Sequence, residues 1–137
     1  MDKLDKELLF QDLCARLPYG VRIYTKEGNK DTSFILKITD LNWIFEDNRI
    51  DEMYEHDGWK PYLRPMSSMT EEERNELESI TFPLMEKDWD GNENPACIRW
   101  IDIPKYMDFI LSHYFDYCGL IEKGLALEAK DGMYKTK

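Results

Sequence analysis

The stretch VRIYTKEGNKDTSFILKI, residues 21–38, decides the fold. Val21, Ile23 and Thr25 alternate with Arg22, Tyr24 and Lys26, the period of two that puts successive side chains on opposite faces of a strand. Glu27-Gly28-Asn29-Lys30 then reads as a tight turn leading into Phe34, Leu36 and Ile38, so the stretch is a β-hairpin. Short β-type runs follow at Trp43 to Phe45, Ile50 to Tyr54 and Trp59 to Leu63, punctuated by Asp47-Asn48 and Asp57-Gly58. Val21 to Leu63 is therefore expected to be mostly strand and turn: a small, bent antiparallel sheet or an SH3-like barrel, ending near Pro61 and Pro65.

Toward the amino terminus, Leu9, Phe10, Leu13, Cys14 and Leu17 recur at helical spacing among polar Lys3, Asp5, Lys6, Glu7, Asp12 and Arg16. This first amphipathic helix stops at Pro18-Tyr19-Gly20. On the other side of the sheet region, Thr70 with Glu73 three residues on is a capping-box pattern. Glu71, Glu72 and Glu73 suit the positive end of a helix dipole, and Leu77 and Ile80 supply a thin apolar face. Phe82-Pro83 ends that helix, and Asp88 to Pro95 reads as a loop. The last third reads strand (Ala96, Ile98, Trp100), helix (Met107, Ile110, Leu111 and Tyr114 inward), short helix stopped by Gly124, and strand (Leu125, Leu127, Ala129). The fold class is α+β in one domain, residues 1–137. Its sub-units are 1–65 (helix plus small sheet), 66–95 (acidic helix and loop) and 96–137 (strand–helix–helix–strand).

The charge is unevenly placed. Lys plus Arg number 18 against 28 Asp plus Glu, a net charge of -10. Residues 51–95 alone hold 13 acidic and 4 basic groups, so nearly all of the excess lies on the acidic helix and its neighbours. A phosphate-binding surface is disfavoured and direct nucleic-acid binding is not expected. Cys14, Cys97 and Cys118 are an odd number without paired spacing, so unbridged thiols are expected, with neither a disulfide framework nor a thiolate zinc site. The Met1-Asp2-Lys3-Leu4-Asp5-Lys6 start lacks the layout of a signal peptide, and no apolar run approaches the ~18 residues of a membrane span. A cytoplasmic protein is expected.

Phosphate-loop, dinucleotide, zincin and hydrolase-elbow motifs are absent from the sequence, and no cofactor is expected. Asp88-Trp89-Asp90-Gly91 has its glycine fourth rather than sixth and Arg99 where a calcium loop wants glutamate, so it reads as a surface turn. His113 and Cys118 could pair only if the chain bends back, and Glu55-His56-Asp57 alternate faces in an extended segment, which opposes metal binding. Trp43, Trp59, Trp89 and Trp100 with Tyr24, Tyr54 and Tyr62 could stack bases, but the basic residues near them are matched by acidic ones, and core packing accounts for them better.

Three blocks carry a resemblance: DLCARLPYGV (12–21), KPYLRPMSSMTEEE (60–73) and FDYCGLIEKGLALEA (115–129). They resemble a large family of uncharacterised small proteins of gut Bacteroides-type bacteria, their phages and mobile elements. Cys118 stands where that family usually has Arg, and Asp131 departs from its usual ending. The resemblance implies a phage or mobile-element setting and a compact protein that binds another protein.

The functional expectation is a non-enzymatic interaction module that docks a basic protein surface through Glu71, Glu72, Glu73, Glu76, Glu78, Glu86, Asp88 and Asp90. The same groups could instead imitate nucleic acid and inhibit a host defence or nucleic-acid enzyme. A small hydrolase or ligand-binding protein with a hidden pocket is the reading from a different class. The aromatic surface around Trp59 and Tyr62 is the fallback interface.

Overall fold

The computed structural model describes residues 2–46, 49–56, 58–81, 85–87, 93–98 and 103–134, of which 56, 81, 85–87 and 93–98 are described by secondary structure only. Helix α1 spans Lys3–Arg16, started by the Asp2 carboxylate accepting the Asp5 amide at 2.8 Å. Strands β1 (Arg22–Glu27) and β2 (Lys30–Ile35) form the expected hairpin, paired from Arg22 with Ile35 to Glu27 with Lys30. Gly28 takes φ +61 at the first of the two turn residues, where a side chain would be strained.

The next stretch overturns its reading. Residues expected as strands form helix α2 (Ile38–Glu46) and helix α3 (Ile50–His56). The Asp40 carboxylate reaches back to the Lys37 amide at 3.0 Å, half of a capping box, and α2 turns Leu41 and Ile44 into the core. Three adjacent apolar residues, Trp43 to Phe45, fit either period, whereas Ile50, Met53 and Tyr54 stand at i, i+3 and i+4. Only the third run is a strand, β3 (Lys60–Leu63).

Helix α4 (Glu71–Thr81) begins at the predicted cap, followed by β4 (Met85–Lys87), β5 (Glu93–Ile98), α5 (Ile103–Ser112) and β6 (Leu127–Glu128). The strands make an open four-stranded sheet in the order β2-β1-β3-β6 and a separate β4-β5 pair. The α+β class stands, but the sheet is open rather than an SH3-like barrel, and β3 pairs with β6 in parallel rather than antiparallel. Glu93 to Pro95, expected as loop, belongs to β5. The short helix expected before Gly124 is a hydrogen-bonded turn: the Asp116 carboxylate accepts the Leu120 and Ile121 amides at 2.8 and 3.0 Å, and Gly124 takes φ +74 at its end.

Two apolar clusters fill the interior. The larger centres on Trp59 and gathers Leu9, Leu13, Val21, Ile23 and Leu63 with residues of α2, α3 and the 120–126 turn. The smaller is Phe109, Ile110 and Phe115 with α4's Leu77 and Ile80 against it. Phe109 faces inward on α5, a position the expected face of that helix left out. Cys14 was expected on the apolar side of α1 and is exposed; the buried face instead holds Leu9, Asp12, Leu13 and Arg16, spaced i, i+3, i+4 and i+7. Cys14 and Cys118 are free thiols, and Cys97 belongs to a segment described without side chains.

Arg16 joins the clusters. Its Nε donates to Asp12 Oδ1 at 2.6 Å, and its Nη2 donates to Asp12 Oδ2 at 3.3 Å and to the Phe115 carbonyl at 2.6 Å, all inside the protein. Near the carboxyl end, Tyr134 acts as a clasp. Its hydroxyl accepts the Arg22 amide and donates to the Tyr62 carbonyl, both at 2.8 Å, where the β1–β3 ladder opens. Its ring stacks on Tyr114 with centroids 3.7 Å apart, and Tyr114 holds a left-handed φ of +62 while donating to the Tyr19 carbonyl.

Removing one partner of a buried ion pair strands the other charge. Asp12→Ala is therefore expected to cost about 3–5 kcal/mol in urea unfolding, and Tyr134→Phe about 1–3 kcal/mol, because it frees two backbone groups. Equal and small losses in both variants would contradict this account.

Candidate functional site

The acidic residues of α4 divide according to the helix period. Glu73, Leu77 and Ile80 share the inward face, and Glu71, Glu72, Glu76 and Glu78 are exposed. At 100° per residue Glu72 and Glu76 lie on one flank, beside α5, while Glu71 and Glu78 lie on the outer side next to Arg74. The exposed surface of α4 thus carries four carboxylates and one guanidinium.

Glu73 does not belong to that surface. It is 6% exposed, and its carboxylate closes the capping box, accepting the Thr70 amide at 3.0 Å while the Thr70 hydroxyl accepts the Glu73 amide at 3.1 Å. Arg64 forks onto the same carboxylate, Nη1 to Oε2 and Nη2 to Oε1, each at 2.7 Å. The Arg64 guanidinium lies 4.3 Å from the centroid of Phe115, and its Nη2 also donates to the Ser68 carbonyl at 3.2 Å. His113 completes the arrangement: its Nδ1–H donates to the Phe109 carbonyl at 2.8 Å, leaving Nε2 3.9 Å from Glu73 Oε2.

Of the other expected contact residues, Glu86 lies on β4, whose side chains are not described, and Asp88 and Asp90 lie outside the described residues. The aromatic fallback is overturned: Trp59 is 0% and Tyr62 5% exposed, so both are core. Trp43 is half-exposed instead, with the Arg49 guanidinium over its ring at 4.5 Å. His113 and Cys118 do not form a catalytic pair, since the His113 Nδ1–H is committed to the Phe109 carbonyl, and burial pushes the Cys118 thiol up, away from the thiolate a nucleophile needs. Among the described residues no cluster of three or more His, Cys, Asp or Glu could hold a metal ion. None of the described helices is long and apolar enough to cross a membrane.

Two depressions flank this region. A cleft of about 600 Å³ is lined by Arg64, Ser68, Glu128, Lys130, Asp131 and Tyr134, charges of both signs, and its arginine is already engaged by Glu73. A smaller pocket of about 160 Å³ lies between α4 and α5, lined by Glu76 and Ile80 from one helix and Lys105, Asp108, Phe109, Ser112 and His113 from the other. Asp108 is held there by the Tyr19 hydroxyl, which donates to Oδ1 at 2.7 Å. The sequence points to Glu76 but to neither Asp108 nor Phe109, which meet α4 only through tertiary packing. Comparison with protein-family models, with curated proteins and with solved structures gives no match.

The fork from Arg64, with help from the Thr70 amide, holds the Glu73 carboxyl well below its usual range, at about 2. A carboxyl whose folded value is depressed adds stability above its ordinary titration range and loses it as pH falls toward the folded value. The stability gap between the parent and Glu73→Gln is expected to be constant above about pH 6 and to close progressively between about pH 5 and pH 2. Unfolding midpoints of the two proteins measured across that range check this; a gap independent of pH would mean that Glu73 is not held ionised by Arg64.

Proposed function

We propose that the protein is a non-enzymatic interaction module whose α4 surface docks a basic protein surface. The observation that carries this reading is the division of α4: the one buried glutamate is consumed by the cap and by Arg64, while Glu71, Glu72, Glu76 and Glu78 are turned to solvent around a single arginine. Four exposed carboxylates on a helix of 11 residues repel one another at i, i+4 (Glu72 with Glu76), a modest cost that an opposite charge removes. The helix is fixed at its start by the capping box and along its inner face by Leu77 and Ile80, so these charges are presented from a rigid element. Complementary charge of this kind speeds encounter and selects partners.

A short synthetic peptide rich in lysine and arginine is the probe. Its affinity is expected to fall at least about tenfold between low and high salt, because exposed charges are screened beyond about 8–10 Å at physiological ionic strength. Reversal of Glu72 and Glu76 to lysine is expected to abolish binding at low salt with the melting temperature nearly unchanged. Glu73 must stay, since its reversal breaks the cap and strands Arg64, and Glu71 stays because it favours the helix start. Undiminished binding by the double variant would reduce the acidic surface to a solubilising coat.

A further inference from the structure

The pocket between α4 and α5 has the chemistry of a seat for one cationic side chain. It has carboxylates from both helices, Glu76 and Asp108, an aliphatic wall from Ile80, and the nearly buried Phe109 with His113 at its base. At about 160 Å³ it is well short of the ~300–1,000 Å³ that a drug-sized ligand occupies. It suits the outer part of a single long side chain, whose methylenes lie on apolar walls while its charge meets the carboxylates.

The protein already holds one such side chain in a neighbouring seat. Phe109, His113 and Phe115 form a triangle of near-parallel rings, with Phe109 and His113 centroids 4.2 Å apart and each of them 6.2 Å from Phe115. Beside Phe115, Arg64 places its guanidinium against the ring and forks onto Glu73. Beside Phe109, Glu76 stands one helical turn after Glu73 and Asp108 is added from α5. The second seat thus shares two elements with the first, a glutamate of α4 and the same group of three rings, and adds a carboxylate already oriented by Tyr19.

We infer that the pocket formed by Glu76, Ile80, Asp108 and Phe109 receives an arginine side chain of the basic partner. Arginine fits better than lysine because a planar guanidinium forks onto a carboxylate through two parallel N–H bonds, as Arg64 does on Glu73, whereas an ammonium is a strongly hydrated point charge. Lys105 also lines the pocket, so a lone arginine does not meet an all-acidic wall and the surrounding carboxylates of α4 contribute to holding the partner. The inference rests on the docking surface proposed above and adds its specificity.

Two synthetic peptides of equal charge, one with arginine and one with lysine at every basic position, test it by calorimetry at low salt. The arginine peptide is expected to bind the parent protein at least about fivefold more tightly. Asp108→Asn and, independently, Ser112→Trp, which fills the pocket from its rim, are expected to bring the two peptides to parity. Melting curves establish that each variant is folded. Equal binding of both peptides by the parent, both salt-sensitive, overturns the arginine seat and leaves the acidic docking surface standing; binding of neither overturns both.

Discussion

The ion pair of Asp12 and Arg16 is the constraint around which the rest is arranged. Both groups are fully buried, and charges taken out of water are tolerated only when their partners are met with good geometry. The carboxylate comes from the same face of α1, one helical turn away, and the third acceptor is the Phe115 carbonyl, far along the chain. That third contact fixes where residues 114–116 must lie relative to α1. From it follow the bridge of Phe115 to Arg64, with the Arg64 amide donating to the Tyr114 carbonyl and the Asp116 amide to the Arg64 carbonyl, both at 2.8 Å. Asp116, placed by the same bridge, caps the turn that brings Leu120, Leu125 and Ala126 into the larger cluster.

Arg64 is the counterpart of Arg16 on the other side of Phe115. One arginine takes the backbone carbonyl of that residue and the other covers its ring. The smaller cluster is therefore bounded by two guanidinium groups, each neutralised by a carboxylate four or nine residues away in sequence. The arrangement explains why α4 can be so acidic outward: the one glutamate that meets the interior is neutralised, and the helix is pinned before the exposed carboxylates begin to repel. It also separates structural charge from surface charge within a single EEE run, Glu73 inward and Glu71 and Glu72 outward.

How much of this could be read from residue order depends on the type of interaction. The hairpin was legible because alternation and a Gly-Asn turn report directly on local backbone, and the start of α4 because Thr70 and Glu73 satisfy each other three residues apart. Helices α2 and α3 were misread where adjacent apolar residues fit two periods, although Ile50, Met53 and Tyr54 held the helical spacing. The buried face of α1 was hidden because charge was equated with exposure, when an Asp and an Arg four apart on the Leu9 and Leu13 side can neutralise each other inside. Trp59 and Tyr62 show the converse: large aromatics between polar residues look available to a partner until the elements packed on them are known. The α4–α5 pocket lay beyond local reading altogether, since Glu76 and Asp108 meet only through tertiary packing.

The Tyr134 clasp has a consequence for the order in which the protein assembles during synthesis. Its hydroxyl lies between Arg22 and Tyr62, so the end of the β1–β3 ladder is bridged only after 112 further residues have followed Arg22 off the ribosome. Strand β6 arrives almost as late, and its parallel pairing with β3 closes a long loop. Until then β3 has an unpaired edge, and the nascent chain must carry its hairpin and all five described helices without a finished sheet, the condition in which strand edges are most open to wrong partners.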